Sequence, residues 1–267
     1  MEPTNSVVEL CSRDGDSSVG STQGRVGTTY AGRHGTSGPC MTGKIILAGG
    51  HEVRPGCEPM DRIVLDAAGG ATARVVFVPT AVAAYDPRGS VAGAVAYFAR
   101  LGATATGAMI LNRADAERVE ATSGLRDADL IYLGGGDPAF LLQTLHGSAA
   151  WMAIIDAYAR GAVVGGSSAG AMVVCDWVAL PPAWTPAKVG LGLVHDAVVL
   201  PHYTRARQHA AEAMARALPA GIAVLGIPEQ SGLLGADRAW TVVGPGPVTV
   251  FTARQVRVGL PGEEMSW

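Results

Sequence analysis

A chain of 267 residues is long enough for one ordinary domain, with or without a tail, and a core of that size needs no external staple. With 20 basic and 23 acidic residues its net charge is −3, which leaves no electrostatic footprint for nucleic acid or an anionic membrane surface, so a small peptide or neutral substrate is the expected partner. Cys11, Cys40, Cys57 and Cys175 lie far apart without CxxC or Cys/His spacing, which argues against a disulfide framework or a metal site.

Residues 1 to about 42 are rich in Gly, Ser and Thr and carry almost no periodic apolar pattern, so they are expected to form a disordered tail. Met41 stands directly before the first strand-like run, KIILAGG, and is expected to be the native start. No basic region followed by an apolar stretch opens the chain, and no apolar run approaches the ~20 residues of a membrane span. A reducing, cytoplasmic setting is therefore expected.

Residues 43–267 read as a single α/β domain in which short β-rich runs alternate with longer helical ones, the pattern of a mostly parallel sheet covered on both faces. Strands are predicted at Lys44–Ala48, Arg74–Pro79, Ala103–Ile110, Asp129–Leu133, Ala162–Gly165, Ala197–Leu200 and Ala223–Ile227. Apolar residues at helical spacing predict helices over Pro59–Ala68, Ser90–Leu101, Ala114–Ala121, Pro138–His146, Ala149–Arg160 and Arg205–Leu218. The stretch from Gly232 to Phe251 predicts short strands and turns that form a small antiparallel edge.

The segment AVVGGSSAGAMVV, Ala162–Val174, runs from an apolar strand through Gly166, Ser167, Ser168, Ala169 and Gly170 into a helix of small residues. This is G-x-S-x-G in the strand–turn–helix setting of a nucleophile elbow, where small flanking residues let the backbone turn sharply and expose the central serine. Ser168 is thus a better candidate nucleophile than Ser167, the competing reading being a serine that merely caps the helix.

Three further segments end predicted strands on the same side, where open α/β sheets form their sites. After DLIYL come Gly134, Gly135 and Gly136, and the N–H of Gly135 or Gly136 with that of Ala169 is the expected oxyanion hole. Asp137 follows, either a substrate contact or the cap of a helix opened by Pro138. In AVVLPHY, His202 is the expected base. His195 lies at the opposite end of the same strand, roughly 20 Å away at ~3.3 Å per residue, so only one of the two can belong to the site. His51, after the first strand, stays a candidate, whereas His209 and His34 read as surface residues. In GIPEQSGLL, a buried Glu229 is expected to accept from His202 and hold its tautomer, with Asp176 and Asp196 as alternatives.

Taken together, AGGHE, YLGGGDPAFLL, GGSSAGAM, LPHY with Arg205 and Arg207, and GIPEQSGLL resemble the serine peptidase family that contains dipeptidase E (aspartyl dipeptidase) and cyanophycinase, over most of Lys44–Phe251. The resemblance implies a fold similar to class I glutamine amidotransferases, a Ser-His-acid mechanism and no metal or organic cofactor. Ser168 falls on the family nucleophile, His202 on its base and Glu229 on an acidic position. Cyanophycinases usually carry Asp-Gln-His-Phe at the histidine, whereas Pro201 and Tyr203 flank His202, which favours a dipeptidase-like or unassigned branch. Aspartyl specificity needs a cation, expected from Arg205 or Arg207. The expected activity is hydrolysis of short peptides through an acyl-enzyme on Ser168. The alternatives are an amidase or esterase on the same scaffold and an inactive binding module, and a homodimer is compatible with either.

Overall fold

A computed structural model describes residues 43–267. The expected tail, the Met41 start, Cys11, Cys40 and His34 lie outside the described residues.

Five short strands form the parallel body of an eight-stranded sheet: β1 (Ile45–Ala48), β2 (Arg74–Val78), β3 (Thr104–Gly107), β4 (Leu130–Leu133) and β5 (Val163–Ser167). They stand in the order β1-β5-β4-β2-β3. Their side chains alternate between two cores, as a two-fold pleat requires. Ile46, Val75, Phe77, Leu130 and Val163 pack on one face with Met60 and Val64 of helix α1 (Glu58–Ala67) and with Ala94 and Phe98 of α2 (Pro87–Arg100). Leu47, Val76, Ile131 and Val164 face the opposite way. There they meet α3 (Arg113–Ala116), α4 (Val119–Arg126), α5 (Pro138–Leu145), α6 (Ala149–Ala159) and α7 (Ala169–Val173). Burial on both faces explains why these strands read as continuous apolar runs.

After α7 the chain makes a small antiparallel hairpin of β6 (Val178–Leu180) and β7 (Thr185–Ala187). Next come β8 (Ala197–Leu200), the helix α8 (Gln208–Ala217) and β9 (Ala223–Gly226). The remaining strands are β10 (Gly232–Ala236), β11 (Ala239–Val243), β12 (Val248–Phe251), β13 (Val256–Gly259) and β14 (Glu264–Met265). Of the antiparallel edge expected over Gly232–Phe251, β10 and β11 join the main sheet beside β1, with β14 added outside them, whereas β12 pairs elsewhere.

One expectation changes. β8 and β9 pair in parallel with each other but not with the main sheet; they form a second sheet in the order β13-β12-β9-β8. Val198, Leu200 and Val224 face Ala211 and Ala215 of α8, while Val199 and Leu225 face the main core. A continuous apolar run reports burial on both faces, and a second sheet wedged between the main core and α8 satisfies that as well as a place beside β1 would. The predicted helix at Ala114–Ala121 is two short helices, α3 and α4, and no helix among the described residues is long and apolar enough to cross a membrane.

Candidate active site

The turn between β5 and α7 is as sharp as its sequence requires. Ser168 sits at φ 50°, ψ −109°, a conformation few non-glycine residues adopt. The two glycines of the motif permit it: a Cβ on either Gly166 or Gly170 would collide with the carbonyl of Leu133, against which the turn is pressed. The Ser168 hydroxyl does not cap α7; its Oγ lies 2.9 Å from His202 Nε2. Ser167 points elsewhere, buried, with its hydroxyl donating to Glu52 Oε2 at 2.8 Å.

His202 follows β8 and, at φ 49°, is also in the left-handed region. Its Nδ1 is 2.9 Å from Glu229 Oε1, so the network requires Nδ1–H to donate to the carboxylate and Nε2 to accept from the serine. Glu229 was expected to be buried. It lies on the turn after β9 with its side chain 53% exposed, and the imidazole is 46% exposed, so solvent reaches the whole dyad.

The end of β1 holds this set together through its backbone. Three successive carbonyls, of Ala48, Gly49 and Gly50, accept the N–H groups of Ser168 (3.0 Å), His202 (2.7 Å) and Gln230 (3.1 Å). Gly50 is needed at φ 133° because a Cβ there would strike the His202 ring. The strained residues on three different loops are therefore referred to one short segment, AGG, which sequence reading had treated only as an opening strand.

The glycine loop is brought beside Ser168, with a change of detail. The Gly135 N–H donates to Glu52 Oε1 at 2.7 Å and so is already engaged; the N–H groups of Gly136 and Ala169 have no acceptor among the described residues. Asp137 is corrected from substrate contact to helix cap: its Oδ1 accepts from Ala139 N at 2.9 Å and Phe140 N at 3.1 Å. Arg207 donates from Nη1 to the Pro201 carbonyl at 2.7 Å and lies over the Trp184 ring at 5.4 Å. Arg205 is exposed on the 3₁₀ turn before α8. None of Asp137, Arg205 or Arg207 lines the cavity at Ser168.

That cavity, about 560 Å³, runs from Ser168, His202 and Gly136 toward the start of α2. Its charged lining is Glu52, Arg54 and Asp86, none of which sequence reading singled out. Asp86 is the cap of α2, accepting from Gly89 N at 2.9 Å. Arg54 has no ion-pair or hydrogen-bond partner for its guanidinium among the described residues. The only signal for Glu52 and Arg54 was their position, in HEVRPG, just past the carboxyl end of the first strand.

The rivals make no hydrogen bond to Ser168 among the described residues. His195 pairs with the buried Asp176 at 3.8 Å, and His51 Nδ1 is 3.1 Å from Gln230 Nε2. Asp196 is exposed before β8, and His209 is exposed on α8. Burial pushes the Cys57 thiol up to about 12 and raises that of the fully buried Cys175 as well, so neither is a ready nucleophile.

Residues 45–243 match the family model of peptidase family S51. Among solved structures, a peptidase from an acI-B1 actinobacterium superposes with a TM-score of 0.71 at 23% identity, covering 85% of this chain and 98% of that one. A protein described as peptidase E from Listeria monocytogenes EGD-e superposes with a TM-score of 0.51 at 19% identity, covering 82% of this chain and 98% of that one. At such identities the likeness is one of fold. No curated protein matches the sequence.

Proposed function

Because the chain belongs to peptidase family S51, and is thus a serine-type peptidase, we propose that it cleaves short peptides through an acyl-enzyme on Ser168. The observation that supports this reading is the unbroken contact from Glu229 through His202 to Ser168, 2.9 Å at each step, at the mouth of a peptide-sized cavity. Ser168 Oγ attacks the scissile carbonyl carbon while its proton passes to His202 Nε2. Glu229 keeps the imidazole in the required tautomer and stabilises the imidazolium that forms. The negative charge on the tetrahedral oxygen is met by the free N–H groups of Gly136 and Ala169, the first on a glycine loop and the second at the start of α7. His202 then gives its proton to the leaving amine, and a water activated by the same nitrogen releases the acid.

For the substrate we propose short peptides bearing an acidic residue, aspartyl dipeptides first among them. The cation that supports this is Arg54, which lines the cavity unpaired, in place of Arg205 or Arg207. A cytoplasmic setting goes with this reading, supported by Cys57 and Cys175, which are free thiols in the interior.

The test is intact-mass spectrometry after treatment with a fluorophosphonate probe. One adduct is expected on the wild type and none on Ser168→Ala or His202→Ala, and the wild type alone should then hydrolyse Asp-X dipeptides. A folded wild type that takes no adduct, or a Ser168→Ala variant that keeps its hydrolytic activity, would remove Ser168 from the mechanism.

A further inference from the structure

Strands β4 and β5 are neighbours whose ladder ends at the pair Leu133–Gly166. Beyond that pair β4 gives way to the glycine loop Gly134–Gly136, while β5 continues one residue further, Ser167 pairing with Ala48 of β1, before it turns into the elbow. Gly134 donates to Val78 on β2 and Ser168 donates to Ala48 on β1, so each chain follows a different neighbour. The two N–H groups that face the developing oxyanion, those of Gly136 and Ala169, are thus carried by diverging segments. Their separation must nonetheless be held to a fraction of an ångström for both to serve one oxygen.

Glu52 closes this gap. It comes from the loop after β1, the strand whose end already anchors Ser168 and His202, and its carboxylate bridges the two diverging chains. Oε1 accepts from Gly135 N at 2.7 Å and Oε2 from Ser167 Oγ at 2.8 Å. Gly135 immediately precedes one donor, and Ser167 lies two residues before the other. The bridge lies just past the last rung of the β4–β5 ladder.

We propose that Glu52 is a positioning residue that sets the spacing of the Gly136 and Ala169 N–H groups, and that it acts as a brace and not as a charge. The proposal rests on the reading of Ser168 as nucleophile. Its second half follows from chemistry. A fixed negative charge beside an oxyanion hole opposes the charge that forms there, and it contributes nothing to that step that a neutral bridge of the same shape would not. A glutamine makes the same two contacts, its carbonyl oxygen accepting from Gly135 N–H and its amide N–H donating to Ser167 Oγ.

Phosphonylation by a fluorophosphonate reads this geometry without a known substrate. Ser168 Oγ bonds to phosphorus as fluoride leaves, and the phosphoryl oxygen takes the oxyanion's place. The maximal rate and the probe's binding constant are measured for wild type, Glu52→Ala, Glu52→Gln and Ser167→Ala, with melting temperatures alongside. In Glu52→Ala the maximal rate is expected to fall about 10- to 100-fold with the binding constant unchanged, as for a misplacement of about 1 Å. Glu52→Gln is expected to stay within about threefold of wild type, and Ser167→Ala, which removes one anchor only, to lie between the two. Should Glu52→Ala fail to fold, Glu52→Gln and Ser167→Ala carry the test. A Glu52→Gln as slow as the alanine variant overturns the brace in favour of a charge. Wild-type rates in both Glu52→Ala and Ser167→Ala overturn it outright, and an unlabelled wild type overturns the Ser168 reading beneath it.

Discussion

Strand β8 carries a histidine–carboxylate couple at each of its ends, and the two differ in almost everything except residue type. Two residues past the carboxyl end, His202 uses both ring nitrogens, one at 2.9 Å from Glu229 and the other at 2.9 Å from Ser168. Two residues before the amino end, His195 stands 3.8 Å from Asp176, too far for a hydrogen bond, with Lys188 at 3.9 Å from the same carboxylate. Asp176 is the more buried acid, its side chain 8% exposed against 53% for Glu229, and its Oδ1 has no hydrogen-bond partner among the described residues. Burial of the acid is therefore not what distinguishes the histidine that reaches Ser168. What separates the couples is the second contact, which only the carboxyl end of the strand can offer, because that is where β5 turns into the elbow.

The largest effect should come from removing the acids one at a time. Glu229→Gln keeps the size of the side chain but offers an amide that can hold the wrong tautomer, and turnover is expected to drop on the order of 100-fold. The exposure of Glu229 keeps the loss below that of a fully buried acid. Asp176→Asn is expected to leave turnover within about twofold, as for a change with no contact to the reacting groups. Equal losses in the two variants would mean that the amino-end couple is linked to the chemistry, and the distinction drawn above would fail. Phosphonylation rates serve as the readout until a substrate is in hand.

A smaller effect sharpens the same contrast within the carboxyl end, where two arginines do different work. Arg54 lines the cavity with no partner for its guanidinium among the described residues, whereas Arg207 donates to the carbonyl of Pro201, the residue before His202. Arg54→Ala is expected to raise KM for an acidic dipeptide about 10-fold with kcat nearly unchanged, the loss of one charge-assisted contact. Arg207→Ala is expected to lower kcat by a similar factor with KM nearly unchanged, since it loosens the backbone beside His202, the proposed base. Steady-state kinetics on Asp-X and neutral dipeptides separate the cases. A KM effect from Arg207→Ala would return it to the substrate.

These two arginines also show where sequence stops being informative. Ser168, His202 and Glu229 were legible because each is marked locally, by a glycine-flanked turn or by a strand ending in a polar residue, and the fold brings the three within hydrogen-bonding distance. Arg207 is expected at the substrate because aspartyl specificity needs a cation, but a guanidinium has five donors and serves a backbone carbonyl as readily, here that of Pro201. Arg54 and Glu52 sit in HEVRPG, a polar loop with no periodicity, indistinguishable in sequence from a solvated turn. The parallel core was readable from its apolar runs. The transfer of β8 and β9 to a second sheet was not, since pairing is made by backbone groups that every residue carries. The same is true of the carbonyls of Ala48, Gly49 and Gly50 that hold the site.

The smallest effect concerns the amino-end couple alone and separates a stabilising ion pair from a working one. Contact with the Asp176 carboxylate raises the His195 pKa above its ordinary 6.5, against partial burial; Asp196 adds to the rise and Lys188 opposes it. A histidine whose folded pKa exceeds its unfolded one is bound more tightly to its proton in the native state. Its contribution to stability is whole below about 6.5 and fades as pH rises through the higher folded value. With the imidazole 44% exposed, solvent screens the pair, and the contribution is expected to be about 0.5 kcal/mol or less. Urea unfolding of wild type and His195→Gln should therefore differ slightly at pH 5.5 and converge by pH 8.5, while phosphonylation of Ser168 stays equal in the two proteins. A gap that widened with pH would reverse the sign and place a neutral His195 in the stabilising contact. A loss of phosphonylation would show that the two ends of β8 do communicate, and that the 3.8 Å couple is more than a surface pair.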